Sequence, residues 1–259
     1  MIERVNQLGG QPPHIGPAPT DSTPVVWAWD TTTDTLGGHP VKDAATILDA
    51  DERTRAERMV KPADRHRYLA AHLGLRIILA AYLSLPPERI RLTREDCPTC
   101  GGPHGRPTTP DSPLHYNLSH SGNLAYLALA SRPIGIDIEQ TPTPQTVTDV
   151  LHTLHPKETT ELRNLPEAQR PQALARIWTR KEAALKATGH GLAQGLTHPY
   201  VSSHPTPATI PGYTLTDLPA PHGYTAALAT ANDPEETGQL PPAVSEPVTV
   251  LAMARAMRS

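Results

Sequence analysis

Two periods organise the apolar residues of this chain, and each predicts its own kind of element. The run Val25-Val26-Trp27-Ala28-Trp29 is a first strand, ended by Asp30 and a Thr-rich turn. From Asp49 the spacing becomes helical, with a charged helix over 49–59 and an apolar one from Pro62 or Ala63 to Ser84. Leu69, Leu73, Ile77, Ala80 and Ala81 make the core stripe of the second, and Pro86-Pro87 stops it. An apolar strand from Leu124 to Ala130 turns through Ser131-Arg132-Pro133 into another, Ile134 to Glu139. There Ile134, Ile136 and Ile138 project to one side, Asp137 and Glu139 to the other. Helices are then expected around Val147–Leu154, from Pro156 through Leu162 with acids in the first turn, and over about 171–188. Leu174, Ile177, Trp178 and Leu185 recur at helical spacing in the last, and Gly189 is its natural stop. Residues 194–230 suggest short strands between proline-rich turns, Tyr224–Ala229 the clearest, and Val248–Met257 a final strand or helix.

Composition divides this pattern. Residues 1–24 are rich in Gly and Pro without periodicity and predict a loosely held arm. Thr141-Pro142-Thr143-Pro144 is a linker, so the expected division is 25–140, 141–231 and a Pro-rich tail with a terminal segment over 232–259. At 259 residues the chain buries a real core. With 23 Lys+Arg against 26 Asp+Glu there is no global case for nucleic acid or an anionic membrane. No apolar run spans a bilayer and no signal-peptide core is seen, so a cytoplasmic protein, taken as a monomer, is expected. Two cysteines imply no disulfide framework.

Three stretches carry candidate chemistry. Asp137 and Glu139 stand about 7 Å apart and repel each other unless a cation lies between them. A hard divalent ion, Mg²⁺ or Mn²⁺, takes such oxygen ligands; the bland alternative is a strand end running into solvent. In the helix near 171–188, Trp178, Glu182 and Lys186 climb one face a turn apart, with Lys181 beside the apolar arc. An ordinary Glu182–Lys186 surface pair is the alternative there. Arg53, Arg55, Arg58, Lys61, Arg65 and Arg67 crowd 53–67, either as a solvated face or as a phosphate-binding patch. Finally, in a loop expected over 92–115, Cys97, Cys100 and His104 offer three zinc ligands with no obvious fourth unless His115 or His120 supplies it; a local disulfide or two free thiols are the other readings.

Asn117-Leu118-Ser119-His120-Ser121-Gly122, Gly135-Ile136-Asp137-Ile138-Glu139 and Trp178-Thr179-Arg180-Lys181-Glu182-Ala183-Ala184-Leu185-Lys186, in this order, resemble the 4′-phosphopantetheinyl transferase superfamily of the surfactin-synthetase-activating type. Gly105-Arg106-Pro107 matches that family's G-[KR]-P loop, and the resemblance covers roughly 48–230. It implies an α+β fold of two similar α/β halves related by a pseudo-two-fold, with the active site and coenzyme A between them. It implies transfer of the 4′-phosphopantetheine arm of coenzyme A to a serine of an acyl or peptidyl carrier protein in secondary metabolism, leaving adenosine 3′,5′-bisphosphate. Asp137, Glu139 and Glu182 would hold Mg²⁺ or Mn²⁺, and Lys186 would stabilise the leaving group. Lys181 and His120 are further candidates for phosphate contact; Arg55 and Arg67, with Ser119 and His120 nearby, match the 3′-phosphate contacts, and Arg106 the loop over the nucleotide. The carrier serine's proton would pass to Glu182, Glu158 or a metal-bound water. A Mg²⁺-dependent phosphohydrolase and an inactive binding module are the rival readings.

Overall fold

Hydrophobic residues that alternate between two buried faces build the centre of the computed structural model, which describes residues 5–16, 18–19, 23–110, 112–189 and 197–233. In chain order the elements are β1 (Asn6–Gln7), β2 (Val25–Asp30), β3 (Thr35–Leu36), β4 (His39–Pro40), α1 (Ala50–Glu57) and α2 (Pro62–Leu83). Then follow β5 (Thr93–Arg94), β6 (Pro107–Thr108), β7 (His115–Ser121), β8 (Leu124–Ala130) and β9 (Ile134–Gln140). The chain continues through α3 (Pro144–Val150), α4 (Pro156–Asn164), α5 (Arg170–Thr188), β10 (Tyr213–Leu218) and β11 (Tyr224–Ala231). The fold is mixed α/β. One sheet has the order β1-β2-β8-β7, another β10-β11-β9.

The two sheets lie face to face between two long helices. Trp27, Trp29, Leu127, Leu129 and Tyr116 point from the first sheet to α2, meeting Leu73, Ile77 and Ile78. Val26, Ala28, Tyr126 and Ala128 leave the same strands on the opposite side and meet Ile134, Ile136, Ile138, Ala226 and Leu228 of the second sheet. Ala227 and Ala229, with Tyr213, then face α5 through Leu174, Ile177 and Trp178. A strand buried on both faces has no polar side to show, which is why β8 is a continuous apolar run. At Gly135 the α5 backbone touches β9: a Cβ there would lie 2.1 Å from the Ala183 carbonyl oxygen and 2.5 Å from the Ala187 nitrogen.

One arrangement occurs twice. Asp49 caps α1 in a capping box with Glu52, whose carboxylate lies 2.7 Å from Arg76 on α2. His155 caps α4 in a capping box with Glu158, whose carboxylate lies 2.9 Å from Lys181 on α5. Each box satisfies orphan N–H groups at a helix start while turning its glutamate inward to a cation of the long helix.

Four expectations change. The division expected at residue 140 puts β9 in the first half, but β9 pairs with β11 and packs on α5. The two sheets therefore part at the turn after β8, near residues 131–133, because strand pairing and not the Thr-Pro linker sets the boundary. Residues 5–8 are no loose arm: β1 pairs in parallel with β2, Leu8 N–H donates to the Ala28 carbonyl at 3.0 Å, and Leu8 is buried. The helix expected at Val147–Leu154 starts at Pro144 and passes into a 3-10 turn over Leu151–Thr153. Thr143 caps it, accepting from Thr146 N–H at 3.2 Å, and Pro144 occupies the first turn where its missing N–H costs nothing. The stretch 92–115, expected as a loop, contains the β5–β6 pair, in which Thr93 opposes Thr108. Val248–Met257 and the tail from residue 234 lie outside the described residues, as does 190–196. Among the described residues no helix is long and apolar enough to cross a membrane.

Candidate active site

The odd-numbered residues of β7 create the seam on which the candidate site rests. Asn117, Ser119 and Ser121 face β9, and their side-chain oxygens accept from the backbone N–H groups of Ile136, Ile138 and Gln140 at 3.1, 3.4 and 3.3 Å. The same hydroxyls donate to the acids of β9: Ser119 to Asp137 at 2.8 Å and Ser121 to Glu139 at 2.7 Å. Asp137 and Glu139 are only 2% and 7% exposed, so these bonds hold carboxylates that are nearly out of water.

Above the seam, α5 delivers Lys186. Its Nζ lies 2.6 Å from Asp137 Oδ1, 3.0 Å from the Ile136 carbonyl oxygen and 3.2 Å from Ser119 Oγ. Glu182 sits one turn earlier on the same helix, half-buried. Asp137 Oδ2 is buried and has no hydrogen-bond partner. A buried carboxylate oxygen left unpaired beside a second acid is a cation ligand in waiting. The acids Asp137, Glu139 and Glu182 are not gathered to within 4.8 Å of one another; among the described residues only Cys97, Cys100 and His104 are so grouped. A divalent ion shared by all three, at ~2.1 Å from its oxygens, would have to draw the acids together.

The remaining expected residues separate into two groups. Arg67 bonds Asn123 Oδ1 through Nε at 2.9 Å and lies 3.2 Å from Asp64 Oδ1, at the β7–β8 turn. His120, on the α2 side of β7, is exposed at the same end, and Arg55 stands 6.0 Å from the Tyr68 ring centroid. These three remain at a surface. Ser119 is not with them: its hydroxyl serves Asp137 and Lys186, so its role is to fix the acid. Arg106, expected in the loop over the nucleotide, is engaged within the protein. Its Nε and Nη2 lie 2.8 and 2.6 Å from Glu95 Oε2, and Nη1 donates to the Ala187 carbonyl at 3.0 Å, clasping the β5–β6 hairpin to the end of α5.

Glu158 and Lys181 are the larger correction. Both are 0% exposed, paired at 2.9 Å, with Glu158 accepting from Val201 N–H at 2.9 Å and Lys181 donating to the Pro199 carbonyl at 2.5 Å. Burial pushes the Glu158 carboxyl up, against the pull of Lys181, and pushes the Lys181 ammonium down, against the pull of Glu158. Enclosed on all sides, the two hold α4 to α5 rather than meet a substrate. Arg180 is equally enclosed: Nε and Nη2 lie 2.7 and 2.6 Å from Asp217, and Nη1 donates to the Ser202 and His204 carbonyls at 2.6 and 2.9 Å. Sequence reasoning singled out the motif over 117–122 without giving Asn117 or Ser121 a role, and it missed Glu95 and Asp217. The Asn-x-Ser-x-Ser alternation was the one available signal, since polar residues every second position on a strand must face something polar.

A buried acid pair, an ammonium on one of them and a basic patch at the neighbouring strand end together define a site for a polyanionic, phosphate-bearing substrate. Residues 29–133 match the family model of the 4′-phosphopantetheinyl transferase N-terminal region, and residues 133–229 that of the 4′-phosphopantetheinyl transferase superfamily. The chain belongs to the 4′-phosphopantetheinyl transferase superfamily. It is 37% identical over 201 residues to the 4′-phosphopantetheinyl transferase HetI of Nostoc sp., covering 74% of this chain and 81% of that protein. It is 28% identical over 149 residues to the 4′-phosphopantetheinyl transferase Sfp of Bacillus subtilis, covering 57% of this chain and 63% of that protein. A phosphopantetheinyl transferase of Thraustochytrium sp. is 31% identical over 162 residues, covering 58% and 55%.

Proposed function

We propose that this chain transfers the 4′-phosphopantetheine arm of coenzyme A to a serine of acyl or peptidyl carrier proteins, releasing adenosine 3′,5′-bisphosphate, at a site between two α/β halves related by a pseudo-two-fold. The observation that carries it is the cluster of Asp137, Ser119 and Lys186, with Asp137 Oδ2 buried and unpartnered, where β9 and α5 of one half meet β7 of the other. The doubled capping box with its inward glutamate and long-helix cation supports two similar halves.

Asp137, Glu139 and Glu182 would hold a Mg²⁺ or Mn²⁺ ion. Such an ion, when bound, supplies charge to neutralise a pyrophosphate. The residues themselves do the rest. Ser119 and Ser121 orient the acids on β9, so less of their rotamer freedom remains to be lost when an ion and phosphate arrive. Lys186 brings a compact ammonium to the oxygen that gains negative charge as its bond to the pantetheine phosphorus breaks. Arg67 and His120, at the β7–β8 end, would take the 3′-phosphate, with Arg55, over the Tyr68 ring, as a further candidate. Of the two carboxylates considered for the proton of the carrier serine, Glu158 is enclosed and Glu182 is half-buried, so Glu182 is the side chain that could take it directly.

Incubation of purified apo carrier proteins with the protein, coenzyme A and Mg²⁺, followed by intact mass, tests this. Carriers should gain one 4′-phosphopantetheine each, and a carrier with its serine changed to alanine should gain nothing. Consumption of coenzyme A without any carrier would favour a phosphohydrolase instead. Binding of coenzyme A with no product would favour an inactive module.

A further inference from the structure

We propose that Cys97, Cys100 and His104 bind a zinc ion, separate from the acidic site, which fastens the turn between β5 and β6 against the C-terminal end of α5. The ligand atoms of the three lie within 4.8 Å of one another, and Cys100 Sγ is 3.0 Å from His104 Nε2. A tetrahedral zinc with ordinary bond lengths puts such ligand pairs roughly 3.5–3.8 Å apart, so the Cys100–His104 pair has to open by only about half an ångström.

The backbone is built for this cluster. Gly101 N–H donates to the Cys97 carbonyl at 2.8 Å, and Cys97 and His104 N–H groups both donate to the Gly102 carbonyl, at 2.7 and 2.8 Å. Gly101 has φ +70, a left-handed turn that glycine adopts without strain. A Cβ on Gly102 would lie 3.1 Å from His104 Cδ2 and 3.4 Å from Cys100 Sγ, intruding on the ligands. Both cysteines are unpaired; Cys97 is buried, while Cys100 and His104 are exposed and open a way in for the ion. Two thiolates and an imidazole select zinc over the hard ions that suit Asp137 and Glu139. His115 and His120 stand outside the group, so among the described residues three side chains supply ligands and a fourth position is open. His115 faces Glu95 instead, at 3.9 Å.

The position of the cluster says what the ion does. Two residues beyond His104, Arg106 bonds Glu95 and the Ala187 carbonyl, and the space beside Gly189 is filled by Arg106 and by Pro98 of the same turn. The turn thus lies on the last turn of the helix that carries Lys186. Zinc binding there organises both arms of the clasp. This inference does not depend on the transferase reading, since metal content and local order are measured without a substrate.

The protein, produced with zinc and dialysed without chelator, should carry about one zinc per chain, absent from the Cys97→Ser and Cys100→Ser variants. Cobalt should give intense visible bands and a thiolate charge-transfer band, both characteristic of a tetrahedral sulfur site, and excess Mg²⁺ should leave them unchanged. If the variants fail to fold, the wild type alone decides: zinc should slow the reaction of its thiols with a chromogenic disulfide by roughly tenfold or more. Equal zinc in wild type and variants, an octahedral cobalt spectrum, unchanged thiol rates, or a Cys97–Cys100 disulfide formed in the presence of zinc would each overturn the site. Chelation should raise amide exchange across 95–106 and the last turn of α5; unchanged exchange would overturn the fastening role.

Discussion

Removing the charge of Glu158 while keeping its shape is expected to unfold the protein more readily without touching the chemistry. At 2.9 Å the pair is worth about 6 kcal/mol of Coulomb energy at an effective dielectric of 20. Desolvation of two enclosed ions offsets most of it, and the pKa directions agree. Glu158, pushed up, contributes stability only below the ordinary carboxylate range and loses it as pH rises through its folded value; Lys181, pushed down, contributes only above the ordinary lysine range and loses it as pH falls through its own. Between them, at neutral pH, the pair is close to neutral, but breaking it from one side leaves an unmatched buried charge. Glu158→Gln should therefore cost about 3–5 kcal/mol, roughly 6–20 °C in Tm. Glu158 accepts from the backbone N–H groups of Val201 and His155, and the single amide oxygen of glutamine keeps one of these, so the loss combines the charge with one backbone hydrogen bond. Lys181→Met should cost less at pH 5 than at pH 7, because Glu158 can then take up a proton. The double variant should recover to within about 2 kcal/mol of wild type, a coupling seen only between contacting groups. Urea unfolding followed by the fluorescence of buried Trp27, Trp29 and Trp178 measures all four proteins. A Glu158→Gln protein with an unchanged midpoint and no turnover would refute this account and return Glu158 to the role of general base.

Lys186→Ala should lower kcat by about two orders of magnitude with coenzyme A affinity changed less, and Lys186→Arg should not fully rescue, since a wide fork replaces a compact ammonium; steady-state kinetics on a carrier protein would show it. Arg67→Ala should raise KM for coenzyme A roughly ten- to a hundredfold and barely affect 3′-dephospho-coenzyme A, so equal losses would remove Arg67 from the 3′-phosphate. Burial pushes Tyr68 up to about 12 and Tyr82, Tyr116, Tyr126 and Tyr213 up as well. Acids raised on folding contribute stability below pH ~10 that is lost as pH rises through the folded values, so alkaline absorbance titration should show most tyrosines ionising only as the protein unfolds.

The strands and long helices were legible because each buries a continuous or periodic apolar set: β8 and β9 are apolar runs, and α2 and α5 repeat at helical spacing. The two-residue β1 was not, since its pairing depends on β2 and not on any local preference. Thr143 was hidden because a Thr-Pro repeat suits a linker as well as a helix cap. For Lys181 the helical wheel was right about the arc, beside Ile177 and Leu185, but could not supply the partner on α4 that lets an ammonium stay there. Asp137 and Glu139 were placed correctly on one face, whereas the serines that hold them belong to another strand, and spacing along one strand is silent about its neighbour.

The seam between β7 and β9 bears on how the chain is made. A sheet edge with free N–H groups is a template for any passing strand. Here the N–H groups of Ile136, Ile138 and Gln140 are covered by side chains of β7, itself the last strand of its sheet. On the ribosome β7 emerges before β9, so the two edges meet only after residue 140 is out. A fragment ending at β8, or one beginning at β9, lacks its cover. Such fragments should aggregate, and a nascent chain paused between them is exposed to the same hazard.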